Sequence, residues 1–370
     1  MVIMLFAYML PGACAWGATQ AVAQGRLPET RALTVTAPKE GRTRPLVAII
    51  ADNAGTETTD FIVPYSILKA SGAVDVVAVS VDAGAVELMP ALRMLADTTI
   101  DQFDAAIPAG ADVVVVPAMH RADRPAVLAW LKKQAAAGAT MVAICDGAVV
   151  LANAGLLRQH TATSHWYSRD GLRRRFTDTN WVGDRRYVMD GNVMTTAGVS
   201  ASIPASIALV GALAGPAAAS ETARRIGVQT WSDAHDSGRF GLTARRVSTA
   251  LVNRIVFWKH ETFALPLENG FDEISVALTA DAWARTWRSD VIATADAPEV
   301  VSTHGLRLLT QPASVGRERV AVPDGKHVDA VLPGVLADVA ARYGAATSNW
   351  VALQLEYATG CAVKTCMDGR

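Results

Sequence analysis

The chain has 370 residues, of which 51% are hydrophobic and 19% charged, and its formal net charge is -1. That length holds two domains or one domain with a large extension, and the charge offers no basic field for binding nucleic acid directly. Four cysteines, Cys14, Cys145, Cys361 and Cys366, form neither a disulfide framework nor a CxxC or Cys/His ligand set, so no zinc or other metal site is expected.

Residues 1–25 carry no charge and Met1 to Trp16 is almost wholly apolar, which predicts a signal peptide or membrane anchor ahead of the fold. Ala21-Val22-Ala23 before Gln24 fits small-residue cleavage and a periplasmic or secreted mature protein; without cleavage, Arg26, Arg31, Lys39, Arg42 and Arg44 would follow a membrane anchor on its cytoplasmic side. Residues 26–45, with Pro28, Pro38 and Pro45, read as a linker. Leu46 to Ala51 is a short apolar strand, and Thr56 to Ser71 is a helix with Phe61, Ile62, Tyr65 and Leu68 on one side and Pro64 inside it. Strands are expected at Val74 to Val81, Asp104 to Pro108 and Asp112 to Pro117, then a helix at Pro125 to Ala137. Thr140 to Ile144 is one more buried strand. Apolar strands alternating with helices mean an α/β fold, a doubly wound and mostly parallel sheet covered on both faces, with reactive groups beyond the strands' carboxyl ends.

Cys145 stands at such an end. The strand before it gives way to Gly147, Ala148, Leu151 and Ala152, a helical spacing, so the cysteine occupies a sharp strand-to-helix elbow. The first N–H groups of that helix can stabilise a thiolate or a developing oxyanion; an inert core thiol is the plainer alternative. Thr161 to Tyr167 reads as a short strand bringing His165 to the same edge, Asn192 to Thr196 as another, and Gly198 to Gly211 and Ser220 to Val228 as helices. Arg239 to Glu261 mixes basic and apolar residues as an amphipathic surface element does. A faint repeat follows: Ile274 to Asp281 resembles Leu46 to Asp52, and Asp290 to Leu309 resembles Asp75 to Leu95. No second elbow follows the repeat, so residues 231–360 are expected to extend the sheet, cap the domain or support dimerisation, closed by helices at Pro333 to Tyr343 and Asn349 to Tyr357, with 361–370 as a tail.

From Leu46 to about Gly227 the order TTDFIVPYSIL, DVVVVP, AICDGAVVLANAGLL, TATSHW, VMTTAGVSASIPASIALV resembles the ThiJ/PfpI family, the cysteine branch of the class I glutamine-amidotransferase-like superfamily. The resemblance implies a flavodoxin-like domain over residues 46–230 with Cys145 as nucleophile and an acid from the first helix touching it. The DFIVP pattern selects Asp60 for that acid, with Glu57 as its rival. Two features depart from the family and a third, His165, matches it. Asp146 stands where Thr or Ser is usual and adds negative charge beside the thiol. Ala118-Met119, followed by His120, replaces a pair of glycines whose N–H groups face the substrate, with Met119 narrowing the pocket. His165 falls where relatives carry a histidine near the thiol, a place for a general base. The resemblance implies a cofactor-free hydrolase or hydro-lyase acting on a small electrophile, with the N–H groups of Asp146 and Ala118 as oxyanion donors. It leaves open a non-catalytic sensor related to the amidase-like domains of AraC-type regulators, or a peptidase, and implies a homodimer.

Overall fold

The computed structural model describes residues 32–33, 37–313, 316–324 and 327–358. The apolar leader, Cys14, Cys361 and Cys366 lie outside them. Among the described residues no helix is long and apolar enough to cross a membrane. The end of the linker is tied to the domain by Asp112, whose carboxylate accepts from Lys39 N at 2.9 Å, Arg42 Nη1 at 2.7 Å and Leu46 N at 2.7 Å.

The chain begins β1 (Leu46–Ala51), β2 (Thr56–Glu57), α1 (Thr58–Ser71), β3 (Asp75–Ser80), β4 (Ala85–Met89), β5 (Arg93–Leu95) and β6 (Thr98–Thr99). β1 and β3 pair in parallel from Leu46↔Asp75 to Ala51↔Ser80, and α1 is buried nearly throughout. Then α2 (Ile100–Ala106) takes part of the stretch expected as a strand at Asp104 to Pro108. Its capping box, Thr99 with Gln102, starts a helix that the apolar run after it obscures. The chain continues with β7 (Val113–Val116), α3 (Pro125–Ala136), β8 (Thr140–Ala143) and α4 (Gly147–Asn153). Next come β9 (Thr161–Ala162), α5 (Trp166–Arg175), β10 (Asn180–Trp181), β11 (Tyr187–Asp190) and β12 (Val193–Thr196). The strand expected through Tyr167 is thus two residues long and pairs with β10 outside the main sheet. His165 does not end a strand; it caps α5.

A seven-stranded sheet results, ordered β11-β12-β8-β7-β1-β3-β6, parallel except for the edge strand β11. It is the flavodoxin-like arrangement expected from the alternating apolar strands. α6 (Ser202–Ala214) and α7 (Pro216–Arg225) add to the layer that holds α1. After α8 (Ala244–Ile255), the last third contains β13 (Glu261–Pro266), α9 (Glu273–Ala284), β14 (Ser289–Thr294), β15 (Glu299–Val301) and β16 (Arg307–Leu309). It ends with α10 (Val328–Tyr343) and α11 (Ala345–Gln354).

This third repeats the start of the chain. β13 and β14 pair in parallel around α9 as β1 and β3 do around α1, and β15 and β16 form an antiparallel hairpin as β4 and β5 do. The match of Asp290 to Leu309 with Asp75 to Leu95 is therefore structural. Ile274 to Asp281, expected to match strand Leu46 to Asp52, is instead inside α9. That helix is buried on every side, which erases the one-sided spacing that marks a helix in sequence. The two copies meet through β5 and β16, antiparallel at Met94↔Leu308 and Leu95↔Arg307, and through α1 against α9. In that register Arg93-Met94-Leu95 and Arg307-Leu308-Leu309 exchange places under a two-fold axis. One apolar core, including Val47, Phe61, Ile274, Val291 and Val351, runs through both.

Candidate active site

Parallel pairing sets the ends of β1, β7 and β8 side by side, so Asp52, Ala118 and Cys145 follow three adjacent strands. Cys145 has φ +54°, a left-handed conformation that costs a non-glycine residue energy and that the packing around it enforces. Thr196 Oγ1, from the end of β12, accepts Cys145 N at 2.8 Å, and Ser164 Oγ lies 3.4 Å from Cys145 O. Gly147 is compulsory: a Cβ there would lie 1.9 Å from Val116 O. The elbow expected from the sequence is present.

The thiol is 6% exposed. Burial pushes its pKa well above the ordinary thiol value, and the negative charges of Asp60, Asp146 and Glu57 add to this, opposed by the Asp146 N–H that points to the sulfur. Burial and these charges therefore favour the protonated thiol over the thiolate. The Asp146 carboxylate is itself held, accepting from Ser164 Oγ at 2.9 Å and Ser168 Oγ at 2.6 Å.

Asp60 and Glu57 belong to one cluster rather than to rival positions. Glu57 caps α1, its Oε2 accepting Asp60 N at 2.5 Å, and its Oε1 receives Arg285 Nη2 at 2.6 Å. Arg285 Nε also reaches Asp281 Oδ1 at 2.6 Å. Thr59 Oγ1 lies 2.8 Å from Asp281 Oδ2 and 3.0 Å from both Glu57 oxygens. One hydroxyl has one proton to donate, so this triangle closes best when Glu57 or Asp281 is protonated. Asp60 Oδ2 accepts Ala118 N at 3.2 Å, while Oδ1 is buried without a hydrogen-bond partner. Burial raises Glu57 to about 7, reinforced by Asp60 and opposed by Arg285. Burial likewise raises Asp60 to about 7, opposed by the Ala118 N–H and Arg285, and it drives Asp281 well above its usual range. Three carboxylates facing one guanidinium thus store protons next to the cysteine.

The other expected residues are placed less favourably. The Ala118 N–H is committed to Asp60 rather than turned to a ligand. Met119 is buried in the apolar cluster with Val127 and Ala148, and His120 is exposed. Both ring nitrogens of His165 are engaged: Nδ1 accepts Tyr167 N at 3.4 Å and Nε2 meets the Gln354 carbonyl at 3.1 Å. Three contributors were not singled out from the sequence, Arg285, Asp281 and Glu356, all from the final third. Glu356 Oε2 accepts Gly198 N at 2.7 Å and Trp166 N at 3.1 Å, and Oε1 meets His235 Nε2 at 2.9 Å. Burial opposes that charge, but His235, His165 and the Trp166 N–H hold Glu356 below the ordinary carboxylate range.

Residues 46–211 match the DJ-1/PfpI family. The chain carries a DJ-1/PfpI domain. Among curated relatives it is 38% identical over 96 residues to the HTH-type transcriptional regulator CdhR of Pseudomonas aeruginosa, which covers 26% of this chain and 28% of that protein. It is 36% identical over 88 residues to the isonitrile hydratase of Pseudomonas putida, covering 24% of this chain and 37% of the relative. The chain thus spans about a third of the length of the curated relatives it matches. Among solved structures it is similar to DJ-1beta of Drosophila melanogaster, 24% identical with a TM-score of 0.45, over 50% of this chain and 100% of that one. The family match ends at residue 211, well before the copy that supplies Asp281 and Arg285 to the DJ-1/PfpI site.

Proposed function

We propose that this DJ-1/PfpI domain is a cofactor-free cysteine enzyme, a hydrolase or hydro-lyase for a small electrophile. The observation that carries the reading is Cys145 held at φ +54° beside Asp60, a buried acid that titrates near neutrality and has one oxygen without a partner. Ionised Asp60 would take the thiol proton as Sγ bonds to the electrophilic carbon, and negative charge on the substrate heteroatom would face the Asp146 N–H. Asp60 would then return the proton to that atom, and water would release the product and restore the thiol. A proton acceptor near 7 suits a thiol that is not ionised beforehand. The isonitrile hydratase relative is in keeping with this chemistry but covers only a quarter of the chain. Cys145→Ser tests it: turnover of reactive carbonyls, small esters or isonitriles should fall at least a hundredfold, and unchanged turnover would remove Cys145 from the mechanism.

One observation favours a second reading, a ligand sensor. Glu356 already occupies the N–H groups of Trp166 and Gly198, and Gln354 holds His165, so the final helix's end closes over this part of the domain. A sensor would bind its ligand with Cys145→Ser as it does without it, and one of the curated relatives is a transcriptional regulator, matched over 26% of this chain. Export, proposed from the uncharged leader, is tested separately by cell fractionation and N-terminal sequencing of the mature chain.

A further inference from the structure

Helix α8 is inverted. The side it turns to the protein carries Ala250 and the polar Asn253, whose Nδ2 donates to Thr286 O at 2.9 Å and Thr347 Oγ1 at 3.2 Å. The side turned to solvent carries Val247, Leu251, Val252 and Ile255, between 41% and 55% exposed. The ridge extends past the helix end into Phe257 and Trp258, 71% and 65% exposed and packed edge to face at 5.3 Å. A soluble surface helix does the reverse, so this face is built to be covered.

The surrounding charge says by what. From Ser237 to His260 the chain holds Arg239, Arg245, Arg246, Arg254 and Lys259 and no Asp or Glu. A cleft of about 610 Å³ opens at the foot of the helix, lined among others by Arg239, Arg245, Arg246 and Asn349. A second copy would bring two such basic fringes together, and the uncharged segment Met1 to Trp16 carries no charge to complement this one. We propose that this ridge lies in the interface of an anionic lipid bilayer: the aliphatic side chains and Phe257-Trp258 enter the acyl boundary while the arginines and Lys259 meet lipid phosphates.

The full chain is floated with vesicles of phosphatidylcholine alone and with a third phosphatidylglycerol. Anionic vesicles should carry at least tenfold more protein, an excess that 0.5 M salt abolishes. Phe257→Asp with Trp258→Asp should lower binding to anionic vesicles at least tenfold, whereas Val301→Asp, at an exposed apolar residue away from the ridge, should not. With lipids brominated near the headgroup, tryptophan quenching should fall in Trp258→Phe, a change that leaves the fold intact. The proposal is overturned if the double variant floats like the parent, if Trp258→Phe leaves the quenching unaltered, or if the double variant instead converts a two-chain species to a single chain.

Discussion

At Cys145 an elbow and a charged neighbourhood pull in opposite directions. The left-handed backbone projects the sulfur toward one N–H group, but three carboxylates and burial keep the proton on it. Iodoacetamide should therefore modify Cys145 slowly at pH 7, and Asp146→Ser, which removes one of the charges that hold the proton on the sulfur, should raise the rate at pH 8 severalfold. No change on that substitution would mean that Ser164 and Ser168 already neutralise the carboxylate's influence. The same cluster sets a pH dependence of stability. Glu57 and Asp60 rise from about 4 in the unfolded chain to about 7, so between those values the folded state binds more protons and stability falls as pH rises. Thermal unfolding should occur at a higher temperature at pH 5 than at pH 8, with on the order of 5 kcal/mol at stake for the pair. Asp60→Asn should shrink that difference. Glu356 and Glu273 are held below the ordinary range and act in the other direction, losing stability only as pH falls through their folded values. Cys145, Asp60 and Glu57 were legible because they lie in short contiguous patterns. Arg285 and Asp281 reach Glu57 and Thr59 across more than two hundred residues, a proximity that no local spacing encodes.

At the scale of elements, the strands were easiest to find, since β1, β7 and β8 are buried on both faces and read as unbroken apolar runs. Two helices were missed for a related reason. α2 is short and defined by its cap, and α9 is buried all round, so neither shows a one-sided helical period. Two variants probe how the elements are joined. Gly147→Ala would drive a Cβ into the Val116 carbonyl, so β7 and α4 must separate; a loss of about 3 kcal/mol in chemical denaturation is expected. Arg285→Ala leaves Glu57 and Asp281 facing each other without their cation, and should cost about 3–5 kcal/mol at pH 8. At pH 5, where those acids hold protons, the loss should be visibly smaller. Equal losses at both pH values would show that Arg285 acts through packing alone.

For the whole molecule, the partial repeat changes what the C-terminal third is. α9 crosses α1 with Glu273 meeting Ser66 at one end and Asp281 meeting Thr59 at the other, eight residues along one helix matched by seven along its partner. The β5–β16 pairing continues this junction, so the chain buries against itself the kind of self-complementary face that joins two copies of one subunit in a two-fold dimer. A homodimer through α1 has no room here, because α9 already covers it. Analytical ultracentrifugation in a mild detergent should thus find the mass of a single chain. Ala277, fully buried midway between Glu273 and Asp281, gives the control: Ala277→Glu forces a charge into the junction and should unfold the domain rather than release a partner. A stable two-chain species unaffected by that junction would place the dimer on another surface. The site would still belong to one chain, since Arg285 and Glu356 come from the same polypeptide as Cys145.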